Sequence, residues 1–205
     1  MQRHFDLDGI LNMERRPRAT LMNYLSGFKS VNLIGTQNNE EINNLAVFNS
    51  VIHIGSNPPF LGFILRPTTV ERHTYENIQA TQFYTINAVT QAIYTKSHQT
   101  SAKYAADQSE FAEVDLTPEF KDDFHAPYVA ESPIQFGLQL EEVQHNKCND
   151  TLLVIGKVQH LYLPENSYTK EGHFDLSEYE VVTIGGLYTY YKTEKIERLK
   201  YAQPK

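Results

Sequence analysis

With 205 residues, 40% of them hydrophobic and 21% charged, the chain can bury a sizeable core, which excludes a disordered segment. Its formal net charge of −7 argues against nucleic acid or an anionic membrane surface as a partner, because the basic residues at 15–18 and 192–200 are diluted by others. Cys148 is the sole cysteine, so no internal disulfide can form and a reducing cytoplasm is the expected compartment.

In chain order, Arg3, Asp6, Asp8, Glu14 and Arg15 leave no apolar core for a signal peptide. Residues 7–13 read as an edge strand or a short turn, and 15–25 are mixed. A first clear strand spans 30–36. Residues 37–41 form a polar turn in which Asn38 and Asn39 supply left-handed backbone.

From Ile42 to Leu65 there is no Asp, Glu, Lys or Arg. Such a run has the length of a membrane helix, but Ser56-Asn57-Pro58-Pro59 breaks it in the middle. What remains is two strands, 45–54 and 60–65, joined by a turn. In the first, Leu45, Val47 and Val51 point one way and Ala46, Phe48 and Ile52 the other, the pattern of a central strand covered on both faces. Asn44, Asn49, Ser50 and His53 are set into it. Each would cost about 1–3 kcal/mol if buried unpaired, so backbone, water or a ligand should satisfy them.

Arg66, Arg72, His73 and Thr74 follow, with Thr68, Thr69 and Thr74 as available helix caps. Two guanidinium groups, an imidazole and a hydroxyl at a helix start suit a phosphate. A solvated helix N-terminus with Glu71 and Glu76 pairing locally fits the same spacing.

Residues 71–81 have helical spacing and 83–89 form a buried strand. Residues 91–104 begin helical and end in a loop at 98–103. A short helix spans 108–114 with Ser109 as its cap, and a further helix starts near Pro118. Residues 126–127 are extended. Residues 134–146 and 151–163 form a long antiparallel pair turning at Asn149-Asp150, which makes Cys148 an incidental surface thiol. A polar excursion at 166–176, a glycine-interrupted aromatic segment at 181–191 and a basic tail complete the chain. The 13 Tyr and 11 Phe, with much Val, Ile and Thr, favour strands. One mainly β domain over residues 1–205 is expected.

Other chemistries lack their motifs. No two of the eight histidines lie three to five residues apart, so no metal motif is present. Gly-x-Ser-x-Gly, Gly-x-Gly-x-x-Gly and the phosphate-binding Gly-Lys-Ser/Thr are absent, so a nicotinamide cofactor would not be held by a Rossmann unit. The adjacent carboxylates Glu141-Glu142 and Asp122-Asp123 face opposite ways on a strand and make a poor acid–base pair.

NLAVFNSV, HIGSNPPFLGF, RPTTVERHTYENI and FYTINAV, followed in order by HQTSAKY, SEF and GGLYTYYK, closely resemble the flavin reductase-like FMN-binding split-barrel family, the flavoredoxin-like subgroup in particular. The resemblance covers nearly the whole chain. It implies a mainly β Greek-key split barrel with a few short peripheral helices, binding FMN as a homodimer. In such proteins the strand matching Asn44, Leu45, Ala46, Val47, Asn49 and Ser50 meets the isoalloxazine and ribityl chain. Arg66, Arg72, His73 and Thr74 match the phosphate site. His98 and Ser101 match a second motif near the flavin, where His98 would meet the flavin or substrate, or cap structure. GGLYTYYK would pack at the dimer seam.

This chain departs from the pattern at Asn49, where the family usually has Ser, and at Ser97, where relatives tend to have Ala. The implied activity is NAD(P)H:flavin reduction, with hydride passing from NADH or NADPH to flavin N5. No catalytic side chain is implied. The alternatives are an FMN-binding electron carrier serving an acceptor protein without its own NAD(P)H turnover, and a barrel that kept the fold and lost the site. The expected location is the cytoplasm, with no membrane association.

Overall fold

The structure, a computed structural model, describes residues 1–204. The chain starts with helices α1 (Leu7–Leu11) and α2 (Arg15–Leu25), then runs through strands β1 (Lys29–Ser30), β2 (Asn32–Gln37), β3 (Asn43–Phe48), β4 (Val51–Ser56) and β5 (Pro59–Leu65). Helix α3 (His73–Thr81) leads into β6 (Phe83–Ala88), and α4 (Tyr94–Gln99) and α5 (Glu110–Glu113) precede the short pair β7 (Pro118–Glu119) and β8 (Tyr128–Val129). The long strands β9 (Gln135–Asn146) and β10 (Thr151–Tyr162) are followed by the hairpin β11 (Val182–Gly185) and β12 (Thr189–Lys192).

Seven strands form one antiparallel sheet in the order β3-β2-β6-β9-β10-β5-β4. Its two end strands, β3 and β4, are consecutive in the chain and separated only by Asn49 and Ser50. Laid flat, six inter-strand gaps would put those ends roughly 29 Å apart, whereas three Cα–Cα steps reach at most about 11 Å. The sheet must therefore curl until its ends meet. The result is the expected mainly β Greek-key split barrel, with the split between β3 and β4.

This topology corrects the reading of 45–54 as one central strand. The segment is two strands broken at Asn49-Ser50, and both stand at the ends of the sheet. The break resets the alternation, so Val51 packs with Phe48 in the barrel interior, while Ile52 and His53 are exposed on β4. A strand can be apolar on both sides without being central when a second layer covers its outer face. Leu45 and Val47 belong to an outer cluster built with Leu33, Val89, Phe111 and Ile184, whereas Ile34, Phe63, Tyr84 and Leu138 fill the barrel. Neighbouring Leu33 and Ile34 on β2 point into different clusters, as strand alternation demands.

Other local expectations are also revised. Residues 7–13 and 15–25 form α1 and α2 rather than a strand and a mixed segment, and neither helix buries a residue. Pro118 opens β7, not a helix. In the 37–41 turn the left-handed residue is Glu41, with φ 63°. Asn38 instead accepts from the backbone N–H groups of Glu40 and Ile42, at 2.9 Å each. The α3 N-cap is Arg72 rather than a threonine, and Ser109 precedes α5 without a side-chain cap bond. Helix α3, β6 and the β9–β10 hairpin follow the expected spans to within a few residues. Among the described residues no helix is long and apolar enough to cross a membrane.

Candidate functional site

A cleft of about 590 Å³ opens beside the split, within the range of ligand pockets. Eleven of the twelve residues expected at the cofactor site line it: Asn44, Ala46, Val47, Asn49, Ser50, Arg66, Arg72, His73, Thr74, His98 and Ser101. Leu45 does not, because its side chain is wholly buried in the outer core cluster. Three permanent cations, Arg66, Arg72 and Lys103, line the cleft against the carboxylates Glu71 and Glu110.

One end of the cleft is built to take an anion. Helix α3 starts there, and Arg72 at its N-cap offers its carbonyl to the N–H groups of Tyr75 and Glu76, at 2.8 and 2.9 Å. Among the described residues the backbone N–H groups of His73 and Thr74 find no acceptor, as the first turn of a helix leaves them. The Arg72 N–H is held by Glu76 Oε1 at 2.9 Å. Its guanidinium Nη2 donates weakly to the Pro67 carbonyl at 3.4 Å, while Nε is buried with no partner. A buried charged donor without an acceptor is costly. Arg66 is exposed at the rim, and His73 Nε2 lies 3.9 Å from Glu71 Oε2.

The side wall is β3. As an end strand it pairs only with β2, so its other edge carries free backbone groups. The Leu45 N–H points off β2, to Glu110 Oε2 at 2.9 Å. By the two-residue period of a strand, the Val47 backbone groups face the same open edge. Leu45 thus belongs to the wall through its backbone.

The polar side chains in this wall are largely satisfied by protein. Asn44 Nδ2 donates to both Glu110 oxygens, at 2.9 and 2.8 Å, and its Oδ1 accepts from Thr74 at 2.9 Å and Thr36 at 3.3 Å. Asn49 Nδ2 donates to the Gly186 carbonyl at 3.0 Å. Ser50 Oγ donates to the Ile64 carbonyl at 2.9 Å and accepts the Ile64 N–H at 3.2 Å. Thr74 therefore contributes to the anion end through its backbone, its hydroxyl being engaged with Asn44.

The other end is aromatic. His98, the next-to-last residue of α4, has Nδ1 3.1 Å from the Tyr190 hydroxyl and stands edge-on to the rings of Tyr188 and Tyr190. Burial raises the Tyr190 pKa, so the phenol keeps its proton. No other acceptor faces that hydroxyl among the described residues. The phenol O–H can donate to Nδ1, or Nδ1–H can donate to the phenol oxygen, according to the tautomer. Ser101 donates to the His98 carbonyl at 2.7 Å and Thr100 to the Ser97 carbonyl at 2.8 Å, closing the end of α4. Ser97 is fully buried and donates to the Ile93 carbonyl at 2.8 Å.

Sequence reasoning passed over Glu110, Lys103 and Tyr190 as site residues. Glu110 stands in the SEF segment and Tyr190 in GGLYTYYK, so both lay inside motifs already in view. What was missing was the packing of those segments onto β3 and α4.

A curled antiparallel barrel with a cleft at its split, lined by helix-start N–H groups and arginines at one end and by aromatic rings at the other, defines a split-barrel protein with a cofactor-sized site. Residues 26–192 match the family model described as "Flavin reductase like domain", and the chain belongs to that family. Among solved structures it is similar to a candidate flavin reductase with a split barrel domain from Shewanella frigidimarina NCIMB 400. That match has 47% identity and a TM-score of 0.94, covering 98% of this chain and 100% of that one. It also shares its fold with nitrilotriacetate monooxygenase component B from Bacillus cereus, at 17% identity and a TM-score of 0.84 over 97% and 99% of the two chains. The flavoredoxin of Desulfovibrio vulgaris (Miyazaki F) matches at 21% identity and a TM-score of 0.73 over 85% and 92%. No curated protein matches the chain.

Proposed function

We propose that the chain forms one FMN-binding domain over residues 1–205 and acts as an oxidoreductase of the NAD(P)H:flavin reductase type. The observation that carries this reading is the buried, partnerless Nε of Arg72, beside two free backbone N–H groups at the start of α3. A phosphate there would complete all three donors. From that anchor the open edge of β3, at Val47, would meet the ring system through backbone groups, and His98 would lie at the aromatic end. Bound FMN would supply the redox chemistry, taking a hydride from NADH or NADPH and releasing electrons to an acceptor. The protein's part is to orient the nucleotides and to exclude water, and no side chain needs to act as acid or base in the transfer.

A second copy of the chain is the partner this reading adds. Leu7, Leu11, Met22, Leu25 and Phe28, on and beside the two helices that bury nothing, expose apolar side chains. A homodimer would cover them. The expected location is the cytoplasm.

The test is spectroscopic. Purified protein should be yellow or bind added FMN at micromolar concentration, and NADH or NADPH should bleach the flavin under anaerobic conditions. Failure to bind FMN sinks the reading. Binding without bleaching by either nucleotide identifies an electron carrier of the flavoredoxin kind instead.

A further inference from the structure

Glu110 is a carboxylate only 5% exposed in the wall of the cleft, and the proposed chemistry gives it nothing to do. It comes from α5, yet its carboxylate reaches across to β3, where it accepts from the backbone N–H of Leu45 and the side-chain amide of Asn44. Both partners are donors only at these atoms. An ionised carboxylate accepts from both. A carboxylic acid would turn one oxygen into a donor facing a donor.

The contact reaches further through Asn44. Its Oδ1 accepts from Thr74, the second residue of α3, and from Thr36 on β2, whose hydroxyl accepts in turn from Asn77 of α3 at 3.1 Å. One buried charge therefore holds the open edge of β3 and, by one intervening amide, the anion-binding start of α3.

We propose that Glu110 is a positioning residue for the flavin site: its ionised carboxylate holds β3 and the start of α3 in the flavin-accepting geometry, so flavin affinity falls when Glu110 is protonated. The inference rests on the FMN-binding reading above. Burial raises the Glu110 pKa, while the N–H groups of Leu45 and of Glu110 itself, the Asn44 amide and the nearby charge of His73 work against that rise. Of these groups facing it from β3, α5 and α3, His73 is the other one that titrates. A positive charge on His73 would act on a phosphate with the opposite sign.

Riboflavin separates the two, because it has no phosphate for His73 to attract. The experiment titrates riboflavin and FMN into wild-type protein and E110Q between pH 8 and pH 5, with circular dichroism confirming the fold at each pH. The wild-type Kd for riboflavin should rise by about threefold or more across that range, and E110Q should bind more weakly at pH 8 with a flat profile. A flat wild-type riboflavin profile, or an E110Q profile that keeps the wild-type slope, overturns the inference even if E110Q folds poorly, since the wild-type curve stands alone. If neither flavin binds at pH 8, the FMN-binding reading itself has failed.

Discussion

Asn49 donates its side-chain amide to the carbonyl of Gly186 at 3.0 Å, tying the break between β3 and β4 to the loop between β11 and β12. The resemblance of the motif around it implies a serine at this position. The longer side chain spans a gap between two sheets that a hydroxymethyl group would not reach. Asn49 is thus a strut that closes the cleft on the Tyr188 and Tyr190 side.

Asn49→Ser should remove that tie while leaving β3 in place. The expected cost is about 1 kcal/mol in urea unfolding, the worth of one ordinary hydrogen bond. Hydrogen exchange of the residues around Tyr188 should quicken with it. An unchanged unfolding midpoint and unchanged exchange would show that the strut carries no strain between the sheets.

Arg72→Ala should weaken FMN binding by about 1.5–3 kcal/mol, a charge-assisted contact, while riboflavin loses little. Comparing the two ligands by fluorescence titration checks this. Equal losses for both would mean that Arg72 shapes the cleft instead of holding a phosphate.

Gly186 has φ +64°, and a Cβ there would run into the ring of Tyr24 from α2. Tyr24 also shares a hydrogen bond with Thr189 across the turn. Gly186→Ala combines left-handed strain with overpacking and should cost about 1–3 kcal/mol. The same change at Gly172, which has φ +79° and open space around it, should cost less. Thermal unfolding of both variants checks the order.

Two carboxylates should act in opposite directions on stability as pH changes. Lys195, 2.6 Å away, and then Ser177 lower the Asp175 pKa to about 2. A depressed carboxylate stabilises the fold above its ordinary pKa of 3.8 and loses that contribution as pH falls towards 2. Glu110 is raised, so the folded chain holds its proton more tightly than the unfolded chain does, and its ionisation costs stability as pH rises through the folded value. Flavin-free wild type should therefore gain in Tm relative to E110Q between pH 7 and pH 5. A constant difference would show that Glu110 stays ionised throughout. In wild type, acid then favours the folded flavin-free chain through Glu110 while weakening its hold on flavin.

Much of the site was legible in the sequence because it is built from one nearly continuous stretch. β3, the β4–β5 hairpin and the start of α3 occupy residues 43–74 in a row, so the charge-free run, its proline break and the Arg-His-Thr cluster could be read together. Residues such as Glu110 and Tyr190 come from 36 or more positions further on. Their roles depend on which strand edge they meet. Helices α1 and α2 were missed although Leu7, Ile10 and Leu11, and Leu21, Tyr24 and Leu25, have helical spacing: the runs are short and hold Gly9 and Pro17, and the fold buries none of them.

What the sequence alone determined was the alternation of the strands, the turn at Asn57-Pro58, the collection of cations after β5 and the family those motifs belong to. Each is a local matter of backbone sterics and side-chain type. The tertiary structure decided that β3 and β4 are the two ends of a curled sheet, since two linking residues admit no flat arrangement. It also decided that Asn44, Asn49 and Ser50 are satisfied by Glu110, Gly186 and Ile64, because a polar group's partner is set by whatever the fold brings to within 3 Å of it.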